Sequence, residues 1–187
     1  ILINGATDLG LPNIPNPTEG WGQLNLSQSL YPKSDDFNSD TVFDYSRSLS
    51  PGHSFLYTLE VTSGSNLDAT LVWNDREGSV TSNQSISKLV NNLDLRITSP
   101  SGVIYNGNNF ISGYSVSGGE SDNINNVERI KLESAQEGIW SIEIGNSKGN
   151  SQQYSLVISG IIEETFGSDL SIIPDSISSF TSTPLQG

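Results

Sequence analysis

Hydrophobic and polar residues alternate over short runs of this chain, and Gly, Pro, Asn and Ser separate the runs. In "NNLDLRITS", for example, Leu93, Leu95 and Ile97 alternate with Asp94 and Arg96. A period of two places successive side chains on opposite faces of a strand, and the spacing typical of helices is nearly absent. The pattern predicts an all-β protein, with strands at 41–49, 53–61, 66–75, 91–99, 103–107, 127–134, 138–146 and 153–160.

Eight strands of this length predict a jelly-roll-like β-sandwich or barrel around one core. The turn residues agree, because Pro100 and Gly102 in "SPSG" occupy positions that a type I turn favours between two hairpin strands. The two longest connections are 76–90 and 108–124. Connections of this length are usually functional or mobile.

The two ends of the chain differ from its middle. The opening "ILINGATDLG" is apolar but has no N-cap residue before its first apolar positions, which indicates the end of a longer element. Residues 161–187 are rich in Ser and Thr and are interrupted by Pro174 and Pro184. This composition predicts a C-terminal extension, which either adds an edge strand or leads into a further region.

The charge and residue usage exclude several classes of function. The chain carries 21 Asp and Glu against 8 Lys and Arg, a net charge of -13, which repels nucleic acid and anionic membrane surfaces. It has no Cys, which excludes disulfides, cysteine zinc sites and thiol nucleophiles. An apolar run long enough to span a membrane is absent, as is a signal-peptide pattern, so the signal of a secreted protein would lie upstream of this sequence.

Several quoted stretches carry a family resemblance. "ILINGATDLG" with "PTEGWGQLNLSQSL" resembles the last helix and closing segment of subtilisin-like serine protease catalytic domains. "LVWND", "LVNNLDLRITSPSG", "YNGNNF", "NNVERIKL" and "EGIWSIEI", in this order and followed by "YSLVISG", resemble the C-terminal β-barrel domain of alkaline subtilases. The resemblance covers about residues 1–160.

The resemblance implies three parts and a missing active site. Residues 1–37 would close an upstream α/β catalytic domain as a short helical remnant, 38–160 would be the β-barrel domain, and 161–187 the extension. The family places its catalytic Ser within "GTSMA", which this chain lacks, and His53 is its one histidine. His53 follows Pro51-Gly52, as a solvated turn residue does. We therefore expect no catalytic residue and no peptide-bond cleavage by this chain alone.

Strand parity suggests a structural Ca²⁺ site at the barrel mouth. Asp75, Asn91, Asn126 and Glu128 end their strands on the face that carries the apolar residues, and Asp94 lies on the opposite face, where an outer site is the other possibility. A buried carboxylate needs a donor or a cation, and oxygen ligands without His or Cys favour Ca²⁺. This protease group also commonly uses structural calcium. In the alternative, these residues cap turns through backbone N–H groups, and Glu128 pairs with Arg76, Arg96 or Arg129.

Two functions follow from these observations. The first is a non-catalytic β domain of a secreted, extracellular subtilisin-like protease, which docks on and stabilises the catalytic portion of the same protease. The apolar residues of the opening segment are then expected to contact that portion; they are Ile1, Leu2, Ile3, Leu9, Leu11 and Trp21. The second is a free-standing extracellular binding or adhesive β module, whose exposed face or long loops contact a polymer or a partner chain.

Overall fold

Strands dominate the regular structure of the chain. The computed structural model describes residues 1–10, 14–29, 40–44, 47–62, 64–80, 87–160 and 162–163. Its one helix is α1 (Leu26–Ser29). Its strands are β1 (Asp40–Asp44), β2 (Ser48–Leu49), β3 (Ser54–Val61), β4 (Leu67–Trp73), β5 (Asn92–Thr98), β6 (Ile104–Asn106), β7 (Phe110–Ile111), β8 (Tyr114–Ser115), β9 (Val127–Leu132), β10 (Gly138–Lys148), β11 (Gln152–Gly160) and β12 (Ile162–Glu163).

Strands early in the chain pair with strands late in the chain, as in a long antiparallel hairpin that is folded into two sheets. β5 pairs with β6, β4 with β9, β3 with β10 and β1 with β11, all antiparallel. Pairing of β4 with β11 and of β5 with β10 then produces two open sheets, β1-β11-β4-β9 (sheet A) and β12-β3-β10-β5-β6 (sheet B). This order is that of a jelly roll, so the predicted all-β sandwich is confirmed.

Seven of the eight predicted strands each correspond to one observed strand, namely β3, β4, β5, β6, β9, β10 and β11, while the strand predicted at 41–49 corresponds to β1 and β2. The hairpin turn expected at "SPSG" joins β5 to β6, where Gly102 N donates to Ser99 O at 2.9 Å and Gly102 has φ +81°. The sequence pattern did not predict the short strands β7 and β8, which are two residues each. β12 pairs with β3, so the start of the predicted extension does add an edge strand.

The core lies between the two sheets and includes Leu93, Leu95 and Ile97, the residues whose alternation predicted a buried face. Trp73 on sheet A and Trp140 on sheet B are its largest side chains, and each is at most 2% exposed. Burial of a large apolar side chain stabilises the fold by about 1.5–3 kcal/mol. Other fully buried members are Leu67, Leu71, Leu93, Leu95, Ile97, Ile130, Ile142, Ile144 and Tyr154.

The opening segment, residues 1–10, covers the outer face of sheet A instead of extending as a helix. Its helical character is limited to one turn, in which Gly5 N donates to Ile1 O at 3.1 Å. Asn, Gly, Thr and Asp have low helix propensity, and the segment next pairs Thr7 with Gln23 through two backbone hydrogen bonds of 2.9 and 2.8 Å. The short helix expected before the β domain is α1.

Asn4 fastens the opening segment to three strands of sheet A. Arg129 Nη2 on β9 donates to its carbonyl oxygen at 2.8 Å, and Thr70 Oγ1 on β4 donates to its Oδ1 at 2.8 Å. Its Nδ2 donates to Ser159 Oγ on β11 at 2.7 Å. Arg129 is 1% exposed and lies 3.4 Å from Asp68. A fully buried guanidinium therefore depends on the opening segment for a hydrogen-bond acceptor.

Several predictions fall outside the described residues. They concern Leu11, part of the strand at 41–49, part of the loop at 76–90 and all of the C-terminal extension after residue 163. Within the described ranges, no helix has the length and hydrophobicity needed to cross a membrane.

The contacts between the opening segment and sheet A lead to a first prediction. Arg129→Ala removes the donor to Asn4 and the guanidinium that is paired with Asp68, and loss of one partner of a buried ion pair costs about 3–5 kcal/mol. We expect a loss near the lower figure in the free energy of unfolding, measured by urea titration. Arg96→Ala, on the exposed outer face of sheet B, is the matched control and should change stability by about 0.5 kcal/mol or less. Equal losses in both variants would contradict the role given to Arg129.

Candidate functional site

Glu128 places a carboxyl group inside the sandwich, where it bridges the two sheets. It lies on β9 opposite Leu71 and is 0% exposed, in agreement with its predicted core-facing parity. Its Oε2 accepts a hydrogen bond from Leu95 N of sheet B at 2.6 Å. Gly107 passes so close that an added Cβ would lie 2.9 Å from the carboxyl carbon of Glu128. Glycine is therefore required at 107 to admit the acid.

The environment of Glu128 favours its neutral form. Burial raises the pKa of its carboxyl to about 9, against a lowering by the Leu95 N–H, and the carboxylates of Asp94 and Asp122 raise the pKa further. Its Oε1 has no hydrogen-bond partner among the described residues. The anticipated pairing with arginine is not found in this part of the chain, because Arg129 points to the opposite face and contacts Asp68. Glu128 is thus a buried acid that holds its proton at neutral pH.

Asp94 lies on the outer face of β5, close enough to influence Glu128. It is partly buried, which raises the pKa of its carboxyl, while hydrogen bonds from Ser147, Asn92 and Ser121 lower that pKa. Asn92 Nδ2 donates to Asp94 Oδ1 at 3.2 Å and to Ser147 Oγ at 2.9 Å. The Oδ1 of Asn92 is buried and has no hydrogen-bond partner among the described residues. Two buried oxygens, on Asn92 and Glu128, therefore lack donors in this region.

Asp75 closes the base of the 76–90 connection. Its Oδ1 accepts from Arg76 N at 2.9 Å and from Asn91 N at 3.0 Å, and its Oδ2 accepts from Val90 N at 2.7 Å. Both carboxylate oxygens of Asp75 thus accept hydrogen bonds from backbone N–H groups, as predicted by the alternative in which these residues cap turns. This arrangement fixes the two ends of the connection against each other.

Asn91 and Asn126 hold the strand ends around Trp73. Asn91 Nδ2 donates to Gln152 Oε1 at 2.7 Å, and its Oδ1 accepts from Asn150 N at 2.7 Å. Asn126 Nδ2 donates to Trp73 O at 2.9 Å, and Trp73 Nε1 donates to Asn91 O at 3.1 Å. Both amides therefore act in a structural polar network at this end of the sandwich.

The five residues predicted for the cation site fall into two groups. Asp75, Asn91 and Asn126 surround the end of β4 and use their polar atoms in protein hydrogen bonds. Asp94 and Glu128 form the second group, because their carboxyl groups interact electrostatically with each other and with that of Asp122. In the described ranges, no three His, Cys, Asp or Glu side chains are grouped so that they could hold a metal ion.

Sequence reasoning missed Asn108 and Asp122. Asn108 has φ +60°, and its side chain completes the free edge of β9, with Oδ1 accepting from Arg129 N at 2.9 Å and Nδ2 donating to Val127 O at 2.8 Å. Asp122 accepts from Asn108 Nδ2 at 2.6 Å and from Ile124 N at 2.8 Å. The signal for Asn108 was "NGNN", since Asn tolerates the left-handed region next to Gly.

Five large aliphatic side chains in the opening segment and in and just before α1 are exposed. Ile1, Leu2 and Leu9 are 50–59% exposed, as are Leu24 and Leu26, which lie in and just before α1 at 54% each. We call these five residues the apolar surface. Trp21 is partly buried, and the predicted burial against a partner remains a prediction.

His53 has the surroundings of a turn residue. It is exposed, and its Nδ1 lies 3.1 Å from Pro51 O. No Ser–His–Asp arrangement involves it among the described residues.

The pKa of Glu128 predicts a pH-dependent stability. Because burial raises this pKa from its ordinary 4.5 to about 9, the folded protein holds the proton more tightly than the unfolded chain does. Between these two pH values the unfolded chain releases the proton first, so the free energy of unfolding falls by up to about 1.4 kcal/mol per pH unit. Glu128→Gln, neutral at every pH, should lose this slope and be more stable than the wild type near pH 9. Urea unfolding in EDTA across the range measures it.

Glu133→Gln provides the control for this pH profile, because Glu133 is exposed on the same stretch of chain. It should retain the wild-type slope. Parallel profiles for the wild type and Glu128→Gln would contradict the assignment of a neutral buried acid.

Comparison with known proteins links the chain to one named protease. It is similar to "Serine protease/ABC transporter B family protein tagA" of Dictyostelium discoideum, with 30% identity over 166 residues, which is 84% of this chain and 9% of that protein. The chain thus spans less than a tenth of the length of the curated relative it matches. No protein-family model matches the chain. The similarity relates the chain, at this coarse level, to a region of a protein named as a serine protease.

Proposed function

We propose that this chain is a non-catalytic β domain of a secreted subtilisin-like serine protease, and that it docks on and stabilises the catalytic portion of that protease. The observation that carries the proposal is the apolar surface, five half-exposed aliphatic side chains in the opening segment and in and just before α1. The similarity to a much longer protein named as a serine protease supports the association with proteolysis. The resemblance of the motifs to alkaline subtilases supports the subtilisin-like type.

The apolar surface suits docking because its support is rigid. Asn4 ties the segment to β4, β9 and β11, and Gly5 packs directly against Ser29 of α1. A partner on this surface would contact a platform that the jelly roll already holds in place, so little ordering entropy is lost on binding. Removing five half-exposed aliphatic side chains from water contributes on the order of 1 kcal/mol each.

In this proposal the residues that cleave the peptide bond belong to the catalytic portion of the protease. The chain has one histidine, His53, and no "GTSMA" stretch, so the nucleophile and base of peptide cleavage would come from the catalytic portion. Docking then raises the stability of that portion by mass action, because the β domain binds its folded state.

A structural Ca²⁺ is the second element of the proposal. Glu128 Oε1 and Asn92 Oδ1 are buried and have no hydrogen-bond partner among the described residues, which favours Glu128 as a ligand. Asp94, whose carboxylate interacts with Glu128, and Asn92, which donates to Asp94, are the next candidates. Asp75 and Asn91 are less suited, since their side-chain oxygens already accept backbone N–H groups. A divalent ion would compensate the Glu128 carboxylate in the core and offset part of the net charge of -13.

Docking is tested by charging the apolar surface. Purification from the native source should yield the chain together with a polypeptide carrying Gly-Thr-Ser-Met-Ala, identified by mass spectrometry. With that polypeptide co-expressed, the double variant Leu9→Asp/Leu26→Asp should bind it at least about tenfold more weakly, because an interface of this kind does not accommodate two unpaired charges. Affinity is measured by titration of the purified components.

Ile139→Asp is the matched control for docking. Ile139 is an equally exposed aliphatic residue, at 56%, but it lies on the outer face of sheet B. The affinity of the Ile139→Asp variant for the catalytic polypeptide should equal that of the wild type. Equal affinities for all three proteins, or purification without any such polypeptide, would overturn the docking role.

The calcium element predicts a melting shift that depends on Glu128. At a Ca²⁺ concentration about a hundred times Kd, binding to the folded state alone adds about 2.7 kcal/mol relative to EDTA. Glu128→Gln keeps the shape of the side chain, loses its charge and should abolish most of this shift, whereas Glu133→Gln should retain it. A wild-type melting temperature that is the same in EDTA and in millimolar Ca²⁺ would remove the site from the proposal.

A further inference from the structure

A shallow groove opens at one end of the sandwich, between the β5–β6 turn and the segment that joins β9 to β10. Its volume is about 210 Å³. Leu132, Ala135 and Trp140, all buried, form its apolar floor. The ring of Tyr105, half-buried, lies 6.2 Å from the ring of Trp140 with a tilt of 33°. The groove thus combines an aromatic wall with an apolar floor.

The rim of the groove is polar and pre-arranged. Ser101 Oγ donates to Gln136 Oε1 at 2.8 Å, and Trp140 Nε1 donates to Gln136 O at 2.8 Å. Ser99 Oγ lies 3.0 Å from Ser101 Oγ. The hydrogen bonds of the described residues therefore fix Gln136 through its Oε1 and its backbone oxygen, and none of them uses its Nε2 donor.

The charge of the groove restricts the ligand class. Among the described residues that line it, Glu133 is the one charged side chain, and no Lys or Arg is present. A phosphate, sulfate or carboxylate ligand would meet a negative charge without a compensating cation. The groove suits a neutral ligand that has one apolar face and several hydroxyl groups.

We propose that this groove binds a saccharide ring, with Tyr105 against the apolar face of the sugar and Gln136, Ser101 and Glu133 as hydrogen-bonding partners of its hydroxyl groups. The volume equals that of about seven water molecules in the liquid, which suits a single ring better than a folded peptide element. A neutral hydroxylated ring also uses both the donors and the carboxylate acceptor of the rim. This site does not depend on docking to a protease, because the groove and the apolar surface share no residue.

The test uses three neutral disaccharides as probes: cellobiose, maltose and N,N′-diacetylchitobiose. Each is titrated into the full chain, and binding is measured by NMR chemical-shift changes and calorimetry. At least one probe should bind with a millimolar Kd. Tyr105→Ala and Gln136→Leu should each weaken that binding by about tenfold, the size expected for loss of an aromatic stack or of a hydrogen bond in a small site.

Gln28→Leu is the control matched to Gln136→Leu, since Gln28 is an exposed amide of α1 that does not line the groove. It should bind the probe as the wild type does. Gln136 is exposed, so its variant retains the fold even where Tyr105→Ala lowers the melting temperature. The proposal is overturned when none of the three probes binds the wild type, when binding survives either groove substitution unchanged, or when Gln28→Leu weakens it equally.

Discussion

The hydrogen bond from Leu95 N to the carboxyl of Glu128 is the contact on which closure of the sandwich depends. β6, the neighbour of β5 on this side, ends at Asn106. Gly107 N still donates to Leu95 O, but β6 offers no carbonyl to Leu95 N. A buried N–H without a partner costs about 1–3 kcal/mol. Because Glu128 belongs to the other sheet, its oxygen satisfies Leu95 and joins the two sheets at the same point.

β9 divides two buried charged groups between its faces. Glu128 points into the core as a neutral acid, while Arg129, the next residue, points outward beneath the opening segment and binds Asn4 and Asp68. The exposed edge of this strand is completed by the side chain of Asn108, which imitates a neighbouring strand. One six-residue strand therefore connects the two sheets, the opening segment and the long connection that precedes it.

The sequence allowed the fold to be predicted well because alternation is a local signal. The alternation around Leu71, Leu95 and Ile130 identifies the core-facing side of each strand. The same alternation predicted that Glu128 points into the core. The site was harder to predict, because parity gives a face but not a partner. Asp75 and Glu128 share that parity, yet Asp75 receives three backbone N–H groups and Glu128 one. Asn4 contacts residues 66 to 155 positions away, and no local pattern indicates such contacts.

The state of Glu128 links the proton to the proposed cation. A carboxyl with a pKa of about 9 must release its proton before it can bind a divalent ion, so binding of the ion and loss of the proton are one coupled event. Each pH unit below that pKa therefore reduces the apparent affinity for the ion by up to about tenfold. Asp94 and Asp122 strengthen this coupling, because their negative charges both raise the pKa of Glu128 and would attract the ion. The same cluster of acids that stabilises the proton at neutral pH thus favours its replacement by a cation as the pH rises.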